Sequence, residues 1–231
     1  MKTASVIAVL VLGAAAATAE AEVSSTITLA SDYDFRGITQ TARDPALQAS
    51  LDWSSESGFY LGAWASNVDY GDGTESEFEL DLIGGLAGNF TDDFGYDIGL
   101  VRYNYFDDGD DIDATEYYLG LSYKAISVKY WYATDFANSG DGANYLEANV
   151  ELPLPNDFTL GLHVGRSSGA FWGDDQYTDY SIGIGKTVGN FDLGLKWVDG
   201  SDFKPGVDIG DANSTENKVV FTIATTLPWG N

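Results

Sequence analysis

Asp107-Asp108-Gly109-Asp110-Asp111-Ile112-Asp113 crowds carboxylates into one short stretch, and carboxylate oxygens are hard ligands suited to calcium. The spacing lacks the glutamate that completes a calcium-hand loop. Close carboxylates also repel one another, so the stretch reads first as a solvated acidic loop. Weak calcium binding by Asp107, Asp108, Asp110, Asp111 and Asp113 is the second reading. The chain has one histidine, His163, and no cysteine, which excludes disulfides, Cys-ligated zinc, iron–sulfur clusters and thiol nucleophiles. No nucleophile motif, phosphate loop or spaced acid–base pair stands out. The expectation is a protein that is not an enzyme and needs no cofactor.

A second group of ionisable residues is spread along the chain: Asp32, Asp34, Arg36, Glu77, Glu79, Asp81, Lys129, Glu147, His163 and Lys196. Each falls on the polar side of an alternating segment. Charges arranged in this way can line a watery path and select among ions by their field.

The segments that must position them alternate with period two, as strands do. In Glu77-Phe78-Glu79-Leu80-Asp81-Leu82, the apolar Phe78, Leu80 and Leu82 share one face and the carboxylates the other. Leu119 and Leu121 alternate with Gly120 and Ser122, and Leu193 and Leu195 with Gly194 and Lys196. The first such segment is read through residues 26–36, with Ile27, Leu29, Tyr33 and Phe35 on its apolar side. Segments 58–69 and 95–106 are strand-like but mixed, because Trp64 and Arg102 suit neither face. About twelve strands result, within the even strand numbers of bacterial barrels.

The connections alternate as well. Residues 36–45, 69–76, 107–115, 134–143, 167–176 and 199–216 form long ones, and residues 55–57, 89–94, 124–125, 153–157 and 187–190 short ones. An up-and-down sheet would place all tight turns at one end and all long loops at the other.

The composition narrows the class. Over 231 residues, 36 acidic side chains face 11 basic ones, for a net charge of −25. That excess argues against nucleic acid as a partner. An apolar content of 44% argues against disorder. Lys2 precedes an apolar or small run from Ala4 to Ala17, and Ala17-Thr18-Ala19 gives the small-x-small pattern of a signal peptide. The expected organisation is a signal peptide over 1–19, cleaved after Ala19 or Ala21, followed by one barrel domain over 23–231.

Whether the apolar face points inward or outward decides the function. A soluble barrel closes with about eight strands and fills its interior; a wider one suits a hydrated lumen. Aromatics near strand ends (Trp53, Tyr103, Tyr105, Tyr117, Tyr130, Tyr132, Phe158, Trp197 and Trp229) read as interfacial girdles. The expectation is therefore an all-β, transmembrane, up-and-down antiparallel barrel. Phe78, Leu80, Leu82, Leu119, Leu121, Leu193 and Leu195 would face lipid, and the ionisable set would line the lumen. Lipid hydrolases of similar barrel size use a serine–histidine pair on the outer wall, but Leu162 and Val164 turn His163 away from that wall.

Ser31-Asp32-Tyr33-Asp34-Phe35-Arg36-Gly37-Ile38-Thr39-Gln40-Thr41, then Pro45-Ala46-Leu47-Gln48, then Gly58-Phe59-Tyr60-Leu61-Gly62-Ala63-Trp64-Ala65-Ser66-Asn67-Val68-Asp69 resembles the proteobacterial TorF-type porin family. The resemblance implies a Gram-negative outer-membrane barrel with channel activity, its partners being lipid and small hydrophilic solutes or cations. One departure is the C-terminus, Pro228-Trp229-Gly230-Asn231, where the family tends to end on an aromatic residue. The acidic excess would favour cations. The alternatives are a closed structural or surface-binding barrel without conductance, or a secreted soluble barrel that carries a ligand.

Overall fold

The computed structural model describes residues 22–71, 76–106, 112–201, 212 and 214–228. The expected leader, Trp229 and the acidic residues 107–111 lie outside these. Among the described residues, fourteen strands follow in chain order. The first seven are β1 (Glu22–Ala30), β2 (Asp34–Phe35), β3 (Ile38–Thr39), β4 (Ala46–Ser54), β5 (Phe59–Asn67), β6 (Phe78–Thr91) and β7 (Phe94–Phe106). The others are β8 (Ala114–Tyr123), β9 (Ile126–Ala133), β10 (Ala143–Leu154), β11 (Phe158–Gly169), β12 (Tyr177–Val188), β13 (Phe191–Ser201) and β14 (Lys218–Leu227).

Twelve of them, β1 and β4 through β14, form one closed antiparallel barrel in sequential order. β1 closes it against β14, with Ser25 opposite Leu227 and Ala30 opposite Thr222. Tight turns join β4–β5, β6–β7, β8–β9, β10–β11 and β12–β13, and the longer connections all lie at the other end. This is the alternation expected from the sequence.

The apolar face points outward. Leu119 is 51% and Leu121 43% exposed, whereas Glu116 and Tyr118, at the alternate positions of β8, are 0% and 4% exposed. Phe78, Leu82 and Leu195 are likewise exposed, and Leu80 and Leu193 lie half-buried on the same outer face. A dry centre of leucines, which a soluble ligand carrier would need, is therefore overturned.

Inward-facing glycines shape the interior. A Cβ on Gly165 would lie 2.0 Å from the Tyr145 hydroxyl, one on Gly85 2.4 Å from that of Tyr60, and one on Gly99 2.5 Å from that of Tyr118. Each glycine thus lets a tyrosine lie flat against the neighbouring wall, the close approach for which a strand glycine is suited. Tyr60, Tyr103, Tyr118, Trp131 and Tyr145 form the main interior cluster, with Ile83, Val101 and Ala114.

Two sequence expectations need correction. β1 ends at Ala30, and residues 31–45 leave the wall. Within them, β2 and β3 pair as a hairpin whose two turn residues, Arg36 and Gly37, have φ of 51° and 85°. Positive φ at both central positions is the geometry of a tight type I′ turn. Tyr33 and Phe35 therefore pack inside the barrel rather than against lipid. Tyr103 and Tyr105 also point inward, because odd-numbered β7 positions face the interior. Trp53, Tyr117, Tyr130, Tyr132 and Trp197 do lie exposed on the outer wall.

The mixed residues are resolved too. Trp64 packs edge-on against Tyr33 at 5.2 Å inside the barrel. Arg102 faces outward, near the long-loop end, and pairs with Asp113 at 2.7 Å.

Two stability changes follow. Leu119→Arg on the outer face should lower stability by about 2–4 kcal/mol, as a cation in the apolar band does. Gly165→Val should cost about 1–3 kcal/mol by driving a side chain into Tyr145. Reversible urea unfolding in lipid vesicles reads both, and an unchanged midpoint in either variant would contradict the assigned orientation.

Candidate functional site

The hairpin reaches right across the barrel. Its strands emerge between β1 and β4, which are neighbours in the wall, yet Arg36 meets β8, β9 and β10 on the opposite side. Arg36 Nη1 donates to Glu116 Oε1 at 2.9 Å and Nη2 to Oε2 at 2.6 Å. Such paired, parallel bonds are the strong form of an arginine–carboxylate contact. The guanidinium carbon lies 4.2 Å from the Tyr145 ring centre, 5.6 Å from that of Trp131 and 4.7 Å from that of Phe35. Tyr103 donates its hydroxyl to Glu116 Oε2 at 2.9 Å.

The other side of the hairpin is held by lysines. Asp34 pairs with Lys196 at 3.0 Å and with Lys218 at 2.9 Å, and Lys218 also donates to the Gly37 carbonyl at 3.2 Å. Asp32 accepts from Thr39 and Thr41 within the same segment and lies 3.7 Å from Lys218. Thr39 N donates to the Ser214 carbonyl at 3.0 Å, which ties the hairpin to the last long connection.

Further groups line the wall around it. Lys129 pairs with Asp97 at 2.7 Å and sits 4.6 Å from the Tyr118 ring centre and 5.2 Å from that of Trp131. Tyr60 donates to Asp97 at 2.6 Å and shares a hydrogen bond with the Tyr118 hydroxyl. Trp131 Nε1 donates to Glu147 Oε1 at 2.7 Å. His163 contacts Asn149 through Nδ1 at 2.7 Å, and through Nε2 reaches the Tyr145 hydroxyl at 3.0 Å and Asp179 at 3.2 Å. Its ring partners include no serine among the described residues. Tyr105 donates to Glu79 at 3.0 Å, while the adjacent Asp81 is fully buried and neither of its oxygens accepts a hydrogen bond among the described residues.

The structure thus brings Asp32, Asp34, Arg36, Glu79, Asp81, Lys129, Glu147, His163 and Lys196 into one interior. Glu77 does not join them: it precedes β6 and is exposed, because the strand begins only at Phe78. Asp113, from the candidate calcium loop, accepts instead from Arg102 and from the Tyr105 amide at 2.9 Å. No acidic or histidine cluster able to hold a metal occurs among the described residues.

Asp97, Glu116, Asp179 and Lys218 belong to the site but were not among the residues expected there. Glu116, Asp179, Lys218 and Trp131 all fall on the polar side of their strands, so strand parity was the available signal. What parity lacked was any reason to rank them above other inward residues.

A closed twelve-strand barrel, apolar outside and charged within, has the build of a membrane-channel barrel. By sequence, the chain belongs to the Gcw_chp family, bacterial proteins of unknown function, whose model matches residues 14–227. No curated protein matches it. Among solved structures it is similar to the KdgM porin, at 9% identity and a TM-score of 0.58, over 88% of this chain and 97% of that one. It is also similar to the NanC porin, at 10% identity and a TM-score of 0.57, over 87% and 98%. A further similar structure, at 9% identity and a TM-score of 0.53 over 88% and 96%, is the KdgM porin in complex with disordered oligogalacturonate. At these identities the likeness establishes the shared barrel fold.

The lysine latch has a defined acid limit. Asp34 lies on the hairpin, outside the spanning strands; burial opposes its ionisation, yet Lys196 and Lys218 hold its carboxyl down from 3.8 to about 2. A depressed folded value means the stabilisation is complete above the ordinary carboxylate range and is lost as pH falls through about 2. The Gln40 amide, which donates to the Tyr33 carbonyl at 2.7 Å, should therefore stay protected from hydrogen exchange at pH 4 and lose protection near pH 2. Asp34→Asn should lose it already at neutral pH; protection unaffected by the substitution would rule out this latch.

Proposed function

We propose that this protein is an outer-membrane channel for passive diffusion of small hydrophilic solutes or ions, leaning towards cations, with its bore narrowed by the β2–β3 hairpin. The observation that carries the reading is the inverted partition of side chains. The exposed outer wall is leucine, isoleucine, valine and aromatic, while the buried interior is carboxylate, lysine, arginine and tyrosine. A barrel with lipid outside and a polar interior satisfies both faces. The resemblance to the TorF-type porins supports the same reading, and an export leader over 1–19 or 1–21 suits this location.

The sign of the interior supports the cation preference. Asp32, Asp34, Glu79, Asp81, Asp97, Glu116, Glu147 and Asp179 outnumber Arg36, Lys129, Lys196 and Lys218. An anionic sugar chain of the kind present in the KdgM complex would meet like charge here, which disfavours it. The hairpin across the bore favours a second reading, a closed barrel whose loops meet partners at the surface.

Planar bilayers under a potassium chloride gradient test the proposal. The expected reversal potential corresponds to potassium favoured over chloride by about threefold or more. Chloride preference would remove the argument from interior charge, and absence of current with the hairpin deleted would leave the closed structural barrel.

A further inference from the structure

Arg36 occupies its position as a bound ligand would. The groups that hold it (Glu116, Tyr103, Trp131 and Tyr145) belong to four consecutive wall strands, whereas Arg36 arrives on a hairpin slung across the bore. Glu116 is fully buried, and its two oxygens face the two terminal nitrogens of one guanidinium at 2.9 and 2.6 Å. A planar fork matches a carboxylate in this way, and a single-point ammonium does not. The Tyr145 and Trp131 rings close over the cation at 4.2 and 5.6 Å, where the ring quadrupole attracts positive charge. Carboxylate fork, hydroxyl brace and aromatic roof together make a guanidinium receptor in the wall, filled by the chain's own side chain. A neighbouring station has the same composition: Lys129 sits between the Asp97 carboxylate and the rings of Tyr118 and Trp131, so Trp131 serves both.

We propose that the Glu116–Tyr103–Trp131–Tyr145 cage is a binding site for guanidinium-bearing solutes, occupied at rest by Arg36 and opened to them when the hairpin swings aside. This deepens the channel reading and rests on it, since the solute reaches the cage through the bore. Competition couples the two events: a solute that takes Glu116 removes the anchor opposite the hairpin's origin. Binding and opening then favour each other, because both require Arg36 to be displaced.

The test uses the full-length barrel folded in detergent, with methylguanidinium as probe and methylammonium at matched ionic strength as comparator. By titration calorimetry, Arg36→Ala should bind methylguanidinium at least about tenfold more tightly than the wild type, whose cage is filled. Adding Glu116→Gln to Arg36→Ala should abolish that gain. Folded Arg36→Ala that does not distinguish the two cations, or whose binding survives Glu116→Gln, overturns the proposal. If Arg36→Ala does not fold alone, methylguanidinium during refolding should restore the heat-modifiable gel band and methylammonium should not; failure to restore it also overturns the proposal. Block of the Arg36→Ala current by methylguanidinium places the site on the conduction path. Binding without current in either protein would leave the cage standing and overturn the channel reading instead.

Discussion

Closure of β1 on β14 is the constraint from which the other features follow. A sheet in hydrocarbon cannot leave an edge of unpaired backbone groups, and a closed ring has none. Once the ring is closed, each strand position has only two destinations. Leu119 and Leu121 take one, Glu116 and Tyr118 the other. An interior built this way gathers charge, because every polar side of twelve strands converges on one axis.

That convergence sets a second requirement, matching buried charges to one another. Taking ions out of water is costly unless partners and hydrogen bonds replace the solvent. The wall alone carries mostly carboxylates at this level, namely Glu116, Asp97, Glu147 and Asp179, with tyrosine and tryptophan donors around them. The hairpin supplies the missing cation for Glu116 through Arg36, and at its other side offers Asp34 to the wall lysines Lys196 and Lys218. The loop and the wall are thus electrostatically complementary, and the segment that crosses the interior exchanges ion pairs with it while leaving the carboxylates in excess.

Much of the wall was legible in the sequence. Period-two alternation, the number of strands and the long–short order of connections are local properties, and all reappear in the barrel. The site was legible only in part. Asp34, Arg36 and Lys196 could be placed on polar faces, but nothing in their spacing says that Asp34 and Lys196 meet across 162 positions of chain. Tyr33 and Phe35 continue the alternation of β1 beyond Ala30, so the pattern extended the strand past its true end. The signal against it was small: a glycine at position 37, able to adopt the positive φ that a two-residue turn demands. Tyr103 and Tyr105 went astray for a related reason. A tyrosine suits both a membrane interface and a polar interior, and only the folded ring brings the hydroxyls of Tyr103 and Tyr105 onto Glu116 and Glu79.

The barrel and its two faces can be read from the chain, because hydrophobic alternation is written residue by residue and a one-residue slip would exchange the outer face for the interior along a whole strand. What occupies the middle is set by the folded ring. Ion pairs such as Arg36–Glu116 and Lys218–Asp34 join residues that are distant in the chain, and their pairing depends on which points of the ring face one another. A folded ring establishes that geometry; a linear pattern cannot.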